Sequence, residues 1–229
     1  MNPTFEKNFY KLSQVICTAL CSALTDSSVL VQRSALELLL QGLPLHQPQF
    51  DHSDMVSLVS SALVTLLRRD MSLNRRLFTW LLGTEINPSL YPDCHPLANK
   101  KLCYFTTYSS DLLILALLRL LERAVPHGNV DSLDIKPFRI ITVLLDKAEI
   151  GPVIIDRIMV DVFRCLHHMT SALTNMDGGD LKRQELIKTA NLMFQMLEKI
   201  ELKLFIVSRE IISLLLQCGV KSKDVSDIF

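Results

Sequence analysis

The side chains best suited to bind a metal lie in and after a proline-rich stretch of the sequence. They are Cys94-His95, Cys103 and, further on, His127. Thiolates and imidazoles are the preferred ligands of zinc, but zinc-binding sequences show paired CxxC or HxxxH spacings, and neither pairing occurs here. We therefore predict that the chain binds no metal.

A second group of side chains has the types needed for nucleophilic catalysis. It consists of Asp161 and the Cys-Leu-His-His run at 165–168, which together offer a thiol, a base and a carboxylate. We expect this segment to be helical, and residues one to three apart on a helix point in diverging directions. A helix surface also lacks the strained turn that exposes a nucleophile. We predict no catalytic residues and a protein that is not an enzyme.

Four arginines crowd the stretch 68–83 (RRDMSLNRRLFTWLLG), which we call the arginine corner. Asp70 stands where a helix N-cap belongs, and Gly83 tolerates the left-handed backbone that closes a helix, so the pattern predicts a helix-turn-helix corner. An aspartate followed by arginine one to two turns later is typical of the ties between stacked helical repeats. We interpret Asp70, Arg76 and Trp80 as the structural part of the corner, with Asp70 paired to Arg76 and Trp80 in the core.

The other three arginines of the corner, Arg68, Arg69 and Arg75, have two interpretations. They form a local cluster of positive charge that suits an anion such as a phosphoinositide headgroup or an acidic peptide. The structural alternative places them in a ladder of ion pairs with Asp70 and nearby carboxylates. We keep the three as a candidate anion or partner surface.

The composition indicates a helical chain without a global electric field. Lysine plus arginine and aspartate plus glutamate each total 24 among 229 residues, so the formal net charge is zero and nucleic acid is not an expected partner. Leucine is abundant and glycine scarce, which favours helices.

The longest apolar run, Leu112–Leu118, is too short to span a bilayer, so we predict no transmembrane segment. The only adjacent glycines, Gly178-Gly179, lack the context of a phosphate-binding loop, and no cofactor is expected.

Cysteine usage and the N-terminus bear on the compartment. The six cysteines do not form the dense framework of a small secreted domain, and the residues after Met1 lack an apolar signal segment. We expect a reduced, cytosolic chain.

Apolar side chains recur at spacings of three and four over most of the sequence and predict nine amphipathic helices. A segment with three prolines and little periodicity, about residues 84–107, is predicted to be a long inserted loop. Residues 176–180 form the clearest break, so we divide the chain into helical repeats over 1–176 and a C-terminal helical pair with a tail over 181–229. The predicted helices cover about 4–24, 29–41, 53–67, 71–82, 109–125, 136–145, 151–169, 186–200 and 205–217.

An internal repeat fits these helices. Asp26 and Asp70 are 44 residues apart, and each precedes a helix that carries an arginine six or seven positions on. This spacing falls within the roughly 40–47 residues of HEAT and armadillo units. We predict an all-α, HEAT/armadillo-like helical-repeat solenoid with one long inserted loop.

The sequence of the arginine corner resembles the most distinctive segment of the Dopey family of Golgi and endosome trafficking proteins. Further segments agree with that family in the same order, and together the matches extend over about residues 27–165. They lie at 29–33, 108–113, 136–139 and 144–152. The chain thus resembles an internal piece of the N-terminal region of a much longer solenoid.

The resemblance implies a non-enzymatic scaffold in Golgi–endosome membrane trafficking and protein transport. It implies a cytoplasmic protein held peripherally on Golgi, trans-Golgi network and endosome membranes. The partners it implies are a Sec7-related Golgi scaffold, kinesin light chain and a phosphoinositide headgroup. The alternative from the residues alone is a peptide-gripping helical-repeat transport receptor or a phosphatase-type regulatory subunit.

Overall fold

The computed structural model of the chain describes residues 3–83, 100–124 and 134–174, together with six positions between 184 and 191. Every regular element in these ranges is a helix, which confirms the all-α prediction. The helices are α1 Pro3–Leu24, α2 Val29–Gly42, α3 His52–Val64, α4 Met71–Leu82, α5 Lys100–Tyr104, α6 Ser110–Ala124, α7 Lys136–Leu145 and α8 Gly151–Thr174. The bounds of α4 and α7 are those predicted from the sequence. The predicted helices at 186–200 and 205–217 lie largely or wholly outside the described residues.

The predicted loop at 84–107 is wrong in its last part, because helix α5 already begins at Lys100. A five-residue π-helical segment, Phe105–Ser109, then joins α5 to α6. The three prolines on which the loop prediction rested all precede residue 97, so they do not interrupt this helix. Tyr104 and Phe105 are both buried, and this packing stabilises a helix whose apolar periodicity is weak. The rest of the predicted loop, 84–99, lies outside the described residues.

The chain divides into two compact units, residues 1–116 and 117–229. This division lies within α6 and differs from the boundary at 176–180 that the sequence suggested. Residues 175–183 lie outside the described residues, so the predicted break there stays a prediction.

In the first unit, α1 packs against α2 and α3, and α2 packs against α4. The shared core consists of apolar side chains, most of them leucines, that lie on one face of each helix. Each fully buried leucine contributes roughly 1.5–3 kcal/mol relative to an exposed one. The leucines at the centre are Leu24, Leu36, Leu39, Leu58, Leu63, Leu73 and Leu77.

Polar side chains close the turn between α1 and α2. The buried amide of Gln32 donates from Nε2 to the Leu24 carbonyl oxygen at 3.0 Å. The Asp26 carboxylate accepts from the backbone N–H of Ser28 at 2.7 Å. These bonds satisfy backbone groups that the helix ends leave open, so the turn has a fixed shape.

In the second unit, α7 packs against α8 through a continuous apolar face. Pro137 stands at the start of α7, where its missing N–H costs nothing. The buried side chains of this pair include Phe138, Ile141, Leu144, Ile154, Ile158, Val162 and Phe163.

One helix in the described part of the chain, Lys100–Ala124, is long and apolar enough to cross a membrane. The sequence analysis considered only its central run and predicted no span. Half of its apolar window is buried inside the protein, as in a core helix of a helical-repeat fold. We therefore assign it to the core and keep the prediction that the chain has no transmembrane segment.

In the described part of the chain, Cys17, Cys21 and Cys165 are free thiols and Cys103 is disulfide-bonded. This differs from the wholly reduced chain that the cysteine spacing led us to expect.

The start of α8 yields the first testable prediction. A Cβ added at Gly151 would lie 2.6 Å from the Leu145 carbonyl oxygen, a backbone atom that cannot move aside. We expect Gly151→Ala to lower the free energy of unfolding by about 1–3 kcal/mol.

The matched control is Gly42→Ala, where the nearest atom is the flexible Leu38 Cδ1 at 3.8 Å. This variant should be neutral or more stable by up to about 1 kcal/mol, because alanine favours helix. Denaturant unfolding followed by circular dichroism measures both variants. Equal stability of the two would contradict the close contact at Gly151.

Candidate functional site

The arginine corner is a tight turn between two helical segments. The helical segment before the turn ends in a 3₁₀ turn, Thr65–Arg68. Arg69 then adopts a left-handed backbone conformation with φ of 54°. The Asp70 carboxylate accepts from the backbone N–H of Leu73 at 2.9 Å and caps α4. Gly83 ends α4 with φ of 61°. The predicted helix cap and helix stop are confirmed at both positions.

Arg76 binds a carboxylate on α2 and not the predicted partner Asp70. Its Nε lies 2.7 Å from Glu37 Oε2, and its Nη1 lies 2.6 Å from the Ser72 hydroxyl oxygen. Asp70 and Arg76 are six residues apart, which places their side chains roughly 120° apart around the helix axis. Asp70 is also occupied as the cap. The ion pair therefore ties α4 to α2.

The Glu37 carboxylate has both oxygens occupied. Oε2 accepts from Arg76, and Oε1 accepts from Gln41 Nε2 at 2.8 Å. The hydrogen bond from Arg76, followed by that from Gln41 and by the positive charges of Arg76 and Arg75, lowers the pKa of Glu37 below its usual value. Glu37 is thus charged at neutral pH and neutralises one of the two arginines beside it.

The candidate anion surface separates into two parts. Arg68 donates from Nη2 to the carbonyl oxygens of Asp26 and Ser27, at 3.0 and 3.1 Å, so it holds the α1–α2 turn. Arg69 and Arg75 are exposed, and neither makes a hydrogen bond or ion pair to another side chain in the described residues. Of these three arginines, Arg69 and Arg75 are therefore the ones whose guanidinium groups are available to a ligand.

An open groove of about 680 Å³ lies between α2 and α4 in the first unit. We call it the α2–α4 groove. Polar and apolar side chains line it in similar measure, and Arg75 stands on its wall beside the ion pair of Arg76 and Glu37. The remaining lining residues are Leu40, Gln41, Pro44, His46, Thr79, Trp80, Gly83 and Tyr104.

Aromatic side chains form the inner wall of the groove. Trp80 is 2% exposed, and its indole N–H donates to the Leu43 carbonyl oxygen at 2.9 Å. The Tyr104 hydroxyl lies 3.4 Å from His46 Nδ1, and burial raises the pKa of Tyr104 to about 12. The rings of Tyr104 and Tyr108 are 5.2 Å apart. This wall is fixed by packing and presents a neutral, partly apolar surface.

The residues considered for catalysis do not converge. The Cys165 thiol is buried, with its Sγ 3.6 Å from the Leu121 carbonyl oxygen, and burial raises the pKa of this thiol to about 12. Asp161 pairs with Arg164 at 2.8 Å. The rings of His167 and His168 lie beside each other at 5.9 Å. A thiol held neutral in the core is a poor nucleophile.

The residues considered for zinc fall mostly outside the structure. Cys94, His95 and His127 lie outside the described residues, and Cys103 is disulfide-bonded. Among the residues that the structure describes, no group of three or more histidine, cysteine and acidic side chains is arranged to hold a metal ion.

Sequence reasoning missed the part of the groove that α2 contributes. Glu37, Gln41 and His46 belong to a helix and loop some 20 to 30 residues before the arginine corner. The one local signal was the i,i+4 spacing of Glu37 and Gln41, which places both side chains on one helix face. Their contact with Arg76 depends on tertiary packing, and the sequence near these residues does not indicate it.

The Glu37–Arg76 pair generates a prediction about pH. Because the folded-state pKa of Glu37 is lowered, its contribution to stability is present above the ordinary pKa of about 4.5 and is lost as the pH falls through the lower folded value. We expect Glu37→Gln to be less stable than the natural chain at neutral pH, with the difference in stability shrinking as the pH falls below the ordinary pKa of about 4.5. Thermal melts across this range measure it.

Glu122→Gln is the control, because Glu122 is an exposed carboxylate without an ion pair in the described residues. Its effect on the melting temperature should be small at every pH. A Glu37→Gln difference that stays constant with pH would contradict the ion pair.

Comparison with known proteins adds to this geometry. Residues 2–86 match the family model of the Dopey N-terminal domain, and residues 104–224 match that of the DOP1 middle TPR domain. The two matches extend the resemblance read from residues 27–165 in both directions. The interval between them contains the proline-rich segment that the sequence marked as inserted.

Curated relatives agree with the family models. The chain is 40% identical to the DOP1 homolog of Drosophila melanogaster over 189 residues, which is 79% of this chain and 7% of that protein. It is 37% identical to DOP1B of Mus musculus over 184 residues, 74% of this chain and 8% of that protein. It is 32% identical to DOP1 of Saccharomyces cerevisiae over 149 residues, 59% of this chain and 8% of that protein.

The chain therefore spans less than a tenth of the length of these relatives. No solved structure matches it. With one family model covering more than half of the chain and a second covering most of its first unit, the chain belongs to the DOP1 (Dopey) family.

Proposed function

We propose that the chain is a non-catalytic helical-repeat module of a Dopey-type scaffold that acts in Golgi–endosome membrane trafficking and protein transport. The observation that carries the proposal is the identity of 40% to a DOP1 homolog over 79% of the chain. In this proposal the protein is cytoplasmic and held peripherally on Golgi, trans-Golgi network and endosome membranes. Its partners are a Sec7-related Golgi scaffold and kinesin light chain.

The described side chains support a scaffold more than an enzyme. The buried thiols of Cys17 and Cys165 have their pKa values raised to about 12, chiefly by burial. The ion pair of Glu37 and Arg76 joins two helices. These thiol, carboxylate and guanidinium groups thus pack and connect helices, as a scaffold requires.

Proximity labelling in cells tests the protein partners. The chain fused to a biotin ligase should enrich the Sec7-related scaffold and kinesin light chain over the ligase expressed alone. The fused chain should also label at the trans-Golgi network and endosomes. Enrichment of a phosphatase catalytic subunit or of nuclear transport cargo instead would favour the peptide-gripping receptor or regulatory subunit and contradict the trafficking scaffold.

A contact with phosphoinositide headgroups is the membrane part of the proposal. Arg69 and Arg75 are the two arginines of the candidate surface that are free to bind an anion, since Arg68 holds backbone carbonyls. A basic residue near an anionic surface contributes roughly 1 kcal/mol. We expect the chain to float with phosphoinositide-containing vesicles, chiefly through Arg69, which does not line the α2–α4 groove. The double variant Arg69→Glu, Arg75→Glu should lose most of this binding.

The control for flotation is Arg123→Glu with Lys188→Glu, which makes the same change in net charge on exposed residues of the second unit. It should float as the natural chain does. Equal loss in both double variants would show an effect of net charge alone. Undiminished flotation of Arg69→Glu, Arg75→Glu would remove these arginines from the membrane contact.

A further inference from the structure

The charged side chains that line the α2–α4 groove have a net charge of plus one. Three charged side chains line the groove, and Glu37 balances Arg76 at 2.7 Å. The Glu37 oxygens accept hydrogen bonds from Gln41 and Arg76, and Arg75 acts on this carboxylate only through its charge. Arg75 is exposed and makes no hydrogen bond or ion pair to another side chain of the described residues. The groove therefore favours a ligand with a single negative charge.

Next to this charge the groove offers an apolar surface. Leu40 and Pro44 are half-buried on one side, and the ring of Trp80 forms the wall behind them. The Trp80 indole N–H is already bonded to the Leu43 carbonyl oxygen, so the ring offers only apolar contact. A ligand that fits both features has an apolar side chain beside a carboxylate.

We propose that the α2–α4 groove binds a short acidic peptide segment of a partner protein. A glutamate or aspartate of the peptide binds the Arg75 guanidinium, and a neighbouring apolar side chain packs against Leu40 and Pro44, in front of the buried Trp80 ring. Charge-assisted bonds from arginine to carboxylate are stronger and more directional than neutral ones. This inference rests on the proposed scaffold function and names the chemistry of one of its protein contacts.

The same charges disfavour a phosphoinositide headgroup inside the groove. Such a headgroup carries several negative charges, whereas the groove has one free cation and the carboxylate of Glu37 beside it. Glu37 would repel a phosphate, and this repulsion selects for a weakly charged ligand. Arg68 does not line the groove and is bound to backbone carbonyls. A headgroup in this groove is thus an outcome that would overturn the proposal.

Trp80 provides a built-in probe, because it is the single tryptophan of the chain and lies in the groove wall. We would titrate the whole chain with short capped peptides that contain leucine next to glutamate, set in neutral flanks. The matched peptides carry glutamine in place of glutamate. The glutamate peptides should change the Trp80 fluorescence saturably, and the glutamine peptides should bind about ten-fold more weakly or less.

Three variants test the role of Arg75. Arg75→Gln should weaken glutamate-peptide binding by about ten-fold and bring it to the level of the glutamine peptide. Arg75→Lys keeps the charge and should keep part of the affinity. Arg69→Gln, an exposed arginine that does not line the groove, should leave the affinity unchanged. Melting temperatures should be alike in all three, because neither arginine side chain makes a hydrogen bond or ion pair within the described residues.

Several results would overturn the proposal. They are the absence of binding by any acidic peptide of the set, equal binding of glutamate and glutamine peptides, or an affinity that Arg75→Gln does not change. Soluble inositol trisphosphate that binds and displaces the peptides would assign the groove to phosphate.

Proximity labelling with the natural chain separates this proposal from the scaffold function. If the natural chain enriches Golgi partners but binds none of the peptides, the groove proposal fails alone. If peptides bind as expected and the natural chain enriches no Golgi partner, the trafficking function fails alone.

Discussion

The packing of α2 on α4 is the contact on which the first unit depends. Buried leucines of both helices supply its free energy, at roughly 1.5–3 kcal/mol for each fully buried side chain. The Arg76–Glu37 pair crosses the same contact, with side-chain exposures of 23% and 42%. Partly exposed ion pairs add little to stability. The leucines therefore hold the helices together, while the ion pair fixes their register and sets the charge of the groove.

The turn at the arginine corner makes this packing geometrically feasible. Arg69 takes a left-handed backbone that a non-glycine residue adopts at some cost, and Asp70 caps the next helix. Arg68 closes the neighbouring α1–α2 turn through two carbonyl oxygens. This short segment thus ends one helical segment, caps the start of α4 and fixes the α1–α2 turn. Because Arg68 is used in that turn, only part of the arginine cluster is available to bind a ligand.

Local features of this chain could be predicted from the sequence, and contacts between distant residues could not. The bounds of α4 and α7 follow from caps, prolines and apolar spacing, all of which act within a few residues. The partner of Arg76 was assigned to Asp70, because the choice of Glu37 depends on how α2 meets α4. The start of α5 was missed for the same reason, since burial of Tyr104 and Phe105 stabilises a helix with weak periodicity.

The depressed pKa of Glu37 has a consequence for recognition. Because hydrogen bonds from Arg76 and Gln41 favour its charged form, Glu37 stays ionised at and well below neutral pH. A glutamate of a bound peptide, with an ordinary pKa near 4.3, is ionised over the same neutral range. Glu37, Arg76 and the peptide carboxylate are therefore all charged over the same neutral pH range. The chain has no formal net charge, so it produces no overall electric field that would attract an acidic peptide. The local positive charge of Arg75 therefore has to provide both the attraction and the selectivity of the groove.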